Sequence, residues 1–301
     1  MIDTWIIVPA YNEADRLDTE AFHAYSLTHK NVGFLFVDDG STDKTATILS
    51  ELCGLNPDAI ASIRLDVNAG KAEAVRCGML HCLEGQPLYV GYWDADLATP
   101  LEAISSFTEL LKKRPEIHLV MGARVQLLGR QIQRNPIRHY LGRVFATVVS
   151  EMLDLHVYDT QCGAKLFRRT TWLRGIFERP FLASWIFDVE ILARMMQVKQ
   201  SGGIQKMETC IYEYPLTKWV DVHGSKVGPR AYALAARDLL RIYRRYLAAE
   251  RKWRPRRRLM ETDRTRAVRS TNKDLKNGSE NRSAKTSDRT GTRFRSIDLK
   301  L

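Results

Sequence analysis

Short apolar segments alternate with helical segments through the first 125 residues, and this alternation restricts the fold more than any other feature of the chain. Each apolar segment is nearly continuous, as in the strands of a parallel sheet that helices cover on both faces. We predict strands at Trp5–Pro9, Gly33–Val37, Ala61–Leu65, Leu88–Trp93 and His118–Gly122. We predict helices near Glu13–His29, Thr42–Cys53, Lys71–Leu83 and Pro100–Lys113. This order predicts an α/β fold with a doubly wound, mostly parallel sheet and right-handed crossovers.

Polar clusters follow four of the predicted strands. They are Pro9-Ala10-Tyr11-Asn12-Glu13, Asp38-Asp39-Gly40-Ser41-Thr42-Asp43, Asn68-Ala69-Gly70-Lys71 and Asp94-Ala95-Asp96. In doubly wound sheets, ligands bind outside the carboxyl ends of the strands. We therefore expect the four clusters to meet at one rim and to form a ligand site. Ser41 or Thr42 is also a candidate N-cap for the second helix.

Two carboxylates one residue apart end the fourth apolar segment. Side chains at i and i+2 of a strand point the same way, so Asp94 and Asp96 share one face. Two like charges repel each other unless a cation lies between them and a further anionic group, such as a diphosphate. Hard carboxylate oxygens suit Mg²⁺ or Mn²⁺. The pair therefore predicts a metal site formed by these two residues.

The second part of the chain, from residue 126, is less regular. We predict a helix at Pro136–Leu155 and a loop at Asp159–Arg168 that leads into a short strand. A helix at Trp185–Gln197 and a strand at Ile204–Tyr214 follow. The last predicted helix, Pro229–Glu250, is amphipathic, with apolar and aromatic residues on one face and arginines on the other. Basic residues combined with aromatics are typical of helices that lie on a membrane surface.

The C-terminal segment carries the whole charge excess of the chain. Residues 251–301 hold 17 of the 46 Lys and Arg residues and 6 of the 35 Asp and Glu residues, so the segment's net charge equals the +11 of the full chain. With few aromatics and no hydrophobic period, it buries too little apolar area to offset its ordering entropy. We predict one folded domain over 1–250, with halves 1–125 and 126–250, and a disordered basic tail over 251–301.

Cysteine spacing and hydropathy indicate the compartment. The five cysteines form no Cys-x-x-Cys pair, which favours reduced thiols in a cytoplasmic protein over a zinc site. No apolar run approaches the roughly 20 residues that span a bilayer. The first predicted strand starts too close to Met1 for a signal peptide. We expect a cytoplasmic protein that, at a membrane, lies on the inner face as a peripheral protein.

The four rim motifs, in this order between residues 8 and 96, resemble those of family-2 glycosyltransferases, inverting enzymes with a nucleotide-sugar-binding, GT-A-like fold. Segments further along are similar to the polyprenyl-phosphate branch, and above all to dolichyl-phosphate β-glucosyltransferases and their bacterial relatives. These segments are Asp94-Ala95-Asp96-Leu97-Ala98-Thr99-Pro100, Asp159-Thr160-Gln161-Cys162-Gly163-Ala164-Lys165-Leu166-Phe167, Phe187-Asp188-Val189-Glu190-Ile191-Leu192 and Gly224-Ser225-Lys226-Val227. The resemblance covers residues 4–245.

The resemblance implies roles for individual residues. It places the nucleotide-sugar at Pro9, Tyr11, Glu13, Asp38, Asp39 and Lys71. It makes Asp94, Asp96, Arg124 and Asp188 the catalytic group, with Mg²⁺ or Mn²⁺ at Asp94 and Asp96. It assigns the acceptor and sugar contacts to Arg143, Gln161, Glu190, Ser225 and Lys226. The half 1–125 would bind the donor, and the half 126–250 would bind the acceptor and carry the interfacial helix.

Two positions depart from the family pattern. Ala72 stands where a second glycine is frequent after Gly70-Lys71. Ala98 stands where some mannosyl-transferring relatives have a Gln or His as a third metal ligand. The second departure disfavours mannose as the transferred sugar and leaves water to complete the coordination of the metal.

The implied activity is transfer of a hexose, with glucose favoured, from a nucleotide-sugar such as UDP-glucose to polyprenyl or dolichyl phosphate at the cytoplasmic face of a membrane. The basic helix and tail predict contact with an anionic membrane surface. A lipid phosphate is already anionic near neutral pH, because its second pKa is about 6, so it attacks without a strong general base.

Other functions stay open or are excluded. One alternative acceptor is a soluble glycan or protein. A nucleic-acid-binding protein acting through the basic tail is a second alternative, but the tail has almost no aromatics to stack on bases, so we expect no nucleic-acid partner. A dinucleotide-dependent oxidoreductase is excluded, because no Gly-x-Gly-x-x-Gly follows the first strand.

Overall fold

One large sheet organises the part of the chain that the computed structural model describes, which is residues 2–133, 136–204, 206–220 and 229–248. The strands are β1 (Thr4–Ala10), β2 (Val32–Asp38), β3 (Ile60–Arg64), β4 (Tyr89–Tyr92), β5 (Leu119–Ala123), β6 (Gln131–Gln133), β7 (Lys165–Arg168), β8 (Ile211–Pro215) and β9 (Lys218–Val220). Within these ranges, seven strands form the large sheet in the order β3-β2-β1-β4-β7-β5-β8, and β6 pairs with β9.

The sheet is mostly parallel with one antiparallel insertion. Strand β1 runs parallel to both of its neighbours, with Ile6 opposite Phe34 of β2 and Gly91 of β4. Strand β7 lies antiparallel between β4 and β5, with Lys165 opposite Tyr92 of β4. The carboxyl ends of β1, β2 and β4 therefore meet at one rim, where the amino end of β7 also arrives.

Helices cover both faces of the sheet. They are α1 (Thr19–Thr28), α2 (Thr45–Leu55), α3 (Lys71–Glu84), α4 (Glu102–Lys113), α5 (Pro136–Leu153), α6 (Leu173–Glu178), α7 (Phe187–Gln200), α8 (Met207–Cys210) and α9 (Pro229–Ile242), which a π-helical turn (Tyr243–Leu247) extends. Two apolar clusters fill the space between sheet and helices. Alternate residues of β1 enter different clusters: Ile7 packs in one, and Ile6 and Val8 pack in the other. Burial on both faces explains why the strands are continuously apolar.

The predicted α/β class and all five N-terminal strands are confirmed, each strand to within one residue at either end. The first helix begins later than predicted, at Thr19, because a turn occupies residues 13–17 and the Asp18 carboxylate caps the helix by accepting from the Ala21 N–H. The prediction of Ser41 or Thr42 as the second N-cap is wrong. The Ser41 hydroxyl instead accepts from the Asn12 N–H in the neighbouring loop.

The predicted strand Ile204–Tyr214 is correct only in its second part. Residues Met207–Cys210 form the short helix α8, and strand β8 starts at Ile211. The alternation of apolar residues over this segment comes from Met207 and Cys210, which are three residues apart, are both buried in the core on one side of the short helix. A run this short does not separate one helical turn from a strand by its periodicity.

The last helix is amphipathic as predicted, but its apolar face is occupied. Ile242 and Leu247 are buried in the main core cluster, and Tyr243 and Tyr246 pack against it. These residues are therefore not available to enter a membrane, whereas exposed arginines and the half-exposed Leu234 and Leu240 lie on the outer face of α9. No helix among the described residues has the length and apolar character that crossing a membrane needs. The predicted disordered tail, 251–301, lies outside the described residues.

Candidate active site

Asp39, which directly follows β2, holds the loop that precedes α3. Its two carboxylate oxygens accept hydrogen bonds from the backbone N–H groups of Ala69 and Gly70, both at 2.8 Å. Burial raises the pKa of Asp39 although these two donors oppose the rise. Gly40 permits the close approach, because its φ is +67° and a Cβ atom there would lie 2.7 Å from the Asn68 nitrogen. The second and third rim clusters are thus joined through one carboxylate.

The loops after β1 and β2 are joined in the same way. The Thr42 N–H donates to the Asn12 side-chain oxygen at 2.9 Å, and the Glu13 N–H donates to the Thr45 hydroxyl at 2.9 Å. These bonds hold the loop after β1, with Pro9, Tyr11 and Glu13 partly exposed along it. The predicted nucleotide-binding residues at the end of β1 and after it therefore lie on a rim that the side chains of Asn12 and Thr45 hold against the segment after β2.

Asp38 is turned inward rather than toward the rim. Its side chain is 2% exposed and accepts from the Ser41 N–H at 2.9 Å. Its second oxygen lies 3.4 Å from the Arg64 Nε on the neighbouring strand β3. The observed contacts of Asp38 thus shape the turn that presents Asp39.

Asp94 and Asp96 follow β4 and reach the same rim from the other side of β1. The ammonium group of Lys71, the first residue of α3, forms a close ion pair with Asp94. Burial favours a higher pKa for Asp94, but the charge of Lys71 outweighs it and lowers the pKa below its ordinary value. Burial and the neighbouring Asp94 charge raise the pKa of Asp96, whose carboxylate accepts from the Ala98 N–H at 3.0 Å. The two neighbouring carboxylates therefore have pKa values shifted in opposite directions, lowered for Asp94 and raised for Asp96.

A glycine from the second half of the chain touches Asp94. A Cβ atom added to Gly163 would lie 1.8 Å from Asp94 Oδ2, far inside any permitted contact. The loop before β7 therefore packs its bare backbone directly against this carboxylate. Gly163 fixes where the Asp94 side chain can lie, and a larger residue there displaces it.

Arg124, at the end of β5, is held by a bidentate ion pair. Its Nε and Nη2 donate to the two oxygens of Asp159 at 2.6 and 2.7 Å, and its side chain lies over the Trp219 ring. Burial lowers the pKa of the guanidinium, but the Asp159 carboxylate more than compensates and raises it. The N–H of Asp159 is in turn accepted by Glu213. Arg124 is consequently cationic and fixed in orientation.

A cavity beside this ion pair brings three predicted residues together. Arg124, Arg143 and Gln161 line it, together with Tyr158. The guanidinium of Arg143 stacks 3.8 Å from the centre of the Tyr158 ring and donates to the Tyr158 carbonyl at 3.1 Å. Two guanidinium groups and an amide thus line one concave space, together with the Asp159 carboxylate that pairs with Arg124. Guanidinium groups are suited to binding a phosphate group.

Asp188, at the start of α7, lies behind the rim in a buried cluster. Its side chain accepts from the ammonium of Lys165 at 2.6 Å and from the Tyr92 hydroxyl at 2.5 Å. Lys165 is 1% exposed and also donates to the carbonyls of Thr160 and Cys162. The cluster ties α7 and β4 to the loop that carries Gly163, so the contacts of Asp188 are structural.

Glu190 is likewise committed to packing. It is fully buried, and its oxygens accept from the Leu182 N–H at 2.7 Å, from the Tyr246 hydroxyl at 2.9 Å and from Arg194 at 2.8 Å. It therefore joins α7 to the π-helical turn and to the loop after α6. The predicted acceptor residues Ser225 and Lys226 lie outside the described residues.

Sequence reasoning did not single out Gly163 and Lys165, although both lie in a motif that it quoted. Gly163 acts by having no side chain, and Lys165 acts from the core, so neither has the polar, exposed character that suggests a site. A glycine next to the buried Cys162 and a lysine that opens an apolar strand were the only signals available.

Comparison with known proteins identifies the family of the chain. The profile of Glycosyl transferase family 2 matches residues 5–172. A dolichyl-phosphate beta-glucosyltransferase of Dictyostelium discoideum is 32% identical over 256 residues, covering 80% of this chain and 74% of that protein. One of Saccharomyces cerevisiae is 33% identical over 264 residues, with the same coverage of both chains.

A solved structure shows the same fold at lower identity. Glucosyl-3-phosphoglycerate synthase of Mycobacterium tuberculosis, in complex with Mn²⁺, UDP-glucose and phosphoglyceric acid, superposes with a TM-score of 0.56 at 16% identity, and 80% of each chain is covered. The predicted family and the GT-A-like fold are therefore confirmed: the chain belongs to glycosyl transferase family 2 and is a glycosyltransferase.

Proposed function

We propose that this glycosyltransferase moves glucose from UDP-glucose to dolichyl phosphate or a related polyprenyl phosphate. The observation that carries the proposal is the position of the cavity lined by Arg124 and Arg143. Arg124 lies within electrostatic reach of Asp94, so a phosphate in the cavity is next to the carboxylate rim. The two relatives that are named as dolichyl-phosphate glucosyltransferases support the same acceptor and the same sugar.

The donor site of the proposal is the rim of the first half. Asp39 uses two of its four lone-pair positions on Ala69 and Gly70, which leaves acceptor capacity for an N–H group of the uracil. Pro9, Tyr11 and Glu13 form the neighbouring wall, and Asp38 supports the turn below. The mycobacterial structure of the same fold contains UDP-glucose, which supports the choice of donor.

Asp94 and Asp96 are suited to hold a divalent cation that would also contact the diphosphate of the donor. The pKa of Asp96 is raised by burial and by the nearby Asp94 charge, and a cation relieves this repulsion. Carboxylate oxygens suit Mg²⁺ or Mn²⁺, and the related structure contains Mn²⁺. No cluster of three or more acidic, His or Cys ligands occurs among the described residues, so Asp94 and Asp96 would hold the cation together with water and phosphate oxygens. When bound, the cation neutralises charge that develops on the departing diphosphate.

The acceptor phosphate needs no proton removed before it attacks. One of its oxygens forms the bond to the anomeric carbon while the bond from that carbon to the diphosphate breaks, and UDP leaves with the electron pair. Arg124 and Arg143 bind and orient the phosphate, with Gln161 beside them. Asp188 acts as a positioning residue, because its bonds to Lys165 and Tyr92 hold the loop against Asp94.

The place of action follows from the acceptor. Polyprenyl phosphates are membrane lipids, so we propose that the chain works as a peripheral protein on the cytoplasmic side. The arginines on the exposed face of α9 and the basic segment 251–301 would meet anionic headgroups there. The binding of Ser225 and Lys226 to the acceptor stays part of this proposal.

The test is transfer of label into an organic phase. Full-length protein is mixed with Mn²⁺ or Mg²⁺, polyprenyl phosphate in detergent, and labelled UDP-glucose, UDP-N-acetylglucosamine or GDP-mannose in parallel. We expect label in the lipid with UDP-glucose alone, and a loss of about 1,000-fold in Asp96→Ala, because diphosphate stabilisation is lost. Asp58→Ala, at an exposed turn, is the matched control and keeps full activity.

The outcomes separate the parts of the proposal. Label entering lipid with another donor changes the sugar and keeps the acceptor. Donor hydrolysis with metal, but no labelled lipid, moves the acceptor to a soluble glycan or protein. If neither transfer nor hydrolysis is observed with any of these donors, the proposed function is contradicted.

A further inference from the structure

Helix α5 exposes an apolar stripe. Tyr140, Val144 and Val148 are 71%, 64% and 50% exposed, and Leu141 is 42% exposed. Residues four apart lie on one face of a helix, so these side chains form a continuous row. The opposite face is also apolar and packs in the core through Ala146, Val149 and Leu153. A surface helix of a globular protein normally has a polar outer face, whereas α5 exposes this apolar row beside the polar Thr147 and Glu151.

The loop before α5 adds two further apolar side chains. Leu127 is 51% exposed and Leu128 is fully exposed. Six of the thirteen large apolar side chains that are exposed among the described residues therefore fall between positions 127 and 148. Scattered exposed apolar residues are ordinary, whereas a concentration marks a contact surface. We call Leu127, Leu128, Tyr140, Leu141, Val144 and Val148 the α5 surface.

The α5 surface adjoins the cationic cavity. Arg124 begins the loop that carries Leu127, Arg143 directly precedes Val144 on α5, and both arginines line the cavity. Arg130, later in the same loop, is partly exposed. Apolar side chains next to guanidinium groups are the combination that lies at the boundary between headgroups and acyl chains of an anionic bilayer.

We propose that the α5 surface docks on a bilayer that contains anionic lipid, so that the phosphate of a lipid acceptor enters the Arg124–Arg143 cavity from the bilayer side. This inference rests on the proposed function for the identity of the acceptor. Charge complementarity and continuity with the cavity select the bilayer as the occupant. Most of the apolar face of α9 is packed in the core, and among its described large apolar side chains only Leu234 and Leu240 are exposed, each at 47%.

The experiment measures binding of the full chain to vesicles of phosphatidylcholine with a minor fraction of phosphatidylglycerol. Salt at about 0.5 M screens the basic segment 251–301, since the Debye length is then only a few ångströms. Val144→Glu/Val148→Glu places two charges on the stripe, and we expect the partition coefficient to fall about tenfold or more. Leu27→Glu/Leu55→Glu makes the same change at exposed positions of α1 and α2 and is expected to bind as the wild type does.

A third variant tests the docking surface outside α5, so that its result does not depend on whether α5 folds in the double variant. Leu128 is fully exposed in its loop, so Leu128→Glu leaves the packing intact and is expected to weaken vesicle binding several-fold. Unchanged binding in both Leu128→Glu and Val144→Glu/Val148→Glu overturns the proposal. A wild-type dimer that the double variant breaks, with vesicle binding unaltered, also overturns it and assigns the surface to a second copy of the chain.

Transfer to a short-chain polyprenyl phosphate in detergent separates this proposal from the proposed function. The α5 variants are expected to keep wild-type kcat there, because none of the substituted residues lines the cavity. If the wild type transfers nothing but vesicle binding still depends on the α5 surface, the docking surface stands and the acceptor assignment fails. If transfer occurs and the α5 variants bind vesicles as the wild type does, the acceptor assignment is supported and the docking surface is contradicted.

Discussion

The two halves of the described chain hold their site residues by different means. In the first half, side chains of the rim loops accept backbone N–H groups, as Asp39 does from Ala69 and Gly70. In the second half, ion pairs with both side chains at most 14% exposed do the same work. These pairs are Arg124–Asp159, Lys165–Asp188 and Arg194–Glu190. The donor side is thus fixed by local loops, and the acceptor side by charges in the core.

The difference has an energetic consequence. A lost hydrogen bond to a partly exposed loop costs about 1 kcal/mol. A buried ion pair that loses one partner leaves an uncompensated charge and costs about 3–5 kcal/mol. Substitutions in the second half should therefore affect folding first, whereas those on the rim of the first half should affect function first.

The largest expected effect is on stability, in α7. Arg194→Met leaves Glu190 buried without its cation and should lower the free energy of unfolding by about 3–5 kcal/mol. Lys113→Met is the matched control, because Lys113 and Glu109 form an i,i+4 pair of the same spacing with side chains 71% and 65% exposed. It should leave the free energy of unfolding nearly unchanged, because an ion pair this exposed to solvent contributes little. Denaturant unfolding measures both, and equal effects would remove the distinction between the halves.

The contact between Gly163 of the second half and Asp94 of the first half can be tested by adding one methyl group. Gly163→Ala forces Asp94 away, because its Cβ would otherwise lie 1.8 Å from the carboxylate. A displacement of about 1 Å at a reacting centre costs about 100-fold in rate, so kcat should fall by that factor. Gly175→Ala in α6 meets no atom within 4 Å and should leave kcat unchanged. A Gly163→Ala enzyme with wild-type kcat would show that Asp94 is not the carboxylate that the reaction needs.

The smallest expected effect is on the stability of a variant of Asp96. It is a gain in stability, whereas Arg194→Met causes a loss. Burial and Asp94 raise the pKa of Asp96, so the folded protein keeps a proton that the unfolded chain has already released. Stability is therefore lost as pH rises from the unfolded pKa, about 3.9, to the raised folded pKa, and the loss persists above it.

Asp96→Asn removes this penalty. At neutral pH we expect the melting temperature to rise, on a scale of roughly 2–4 °C for each kcal/mol that a domain of this size gains. The gain should vanish below pH about 3.9. Mn²⁺ with UDP should raise the melting temperature of the wild type and not of the variant. A less stable Asp96→Asn protein at neutral pH would contradict the assignment of strain to the Asp94–Asp96 pair.

The rim of the first half was predictable because its information is local. Asp39 and Asp94 directly follow apolar strands, and the order of strands in an α/β sheet brings their ends together. The starts of α1 and α2 were misplaced, because a turn precedes the Asp18 cap of α1 and the Ser41 hydroxyl accepts from Asn12 in the neighbouring loop instead of capping α2.

The second half was less predictable because its partners are distant in sequence. Glu190 reads as a polar residue on a helix, yet it contacts Leu182 and Tyr246, which are 8 and 56 residues away. The apolar residues of the predicted helix Pro136–Leu155 indicate a buried face, but Val144 and Val148 are on the outside. Periodicity identifies a helix and does not identify what covers each of its faces.

One kinetic comparison tests the division of labour between the halves most directly. KM for UDP-glucose and KM for polyprenyl phosphate are measured in Asp39→Asn and in Arg143→Gln. We predict that Asp39→Asn raises only the donor KM, and Arg143→Gln only the acceptor KM, each by about tenfold, the loss of one hydrogen bond to a charged group. If both constants change together in either variant, or if each variant changes the other constant, the donor and acceptor sites do not lie where this account places them.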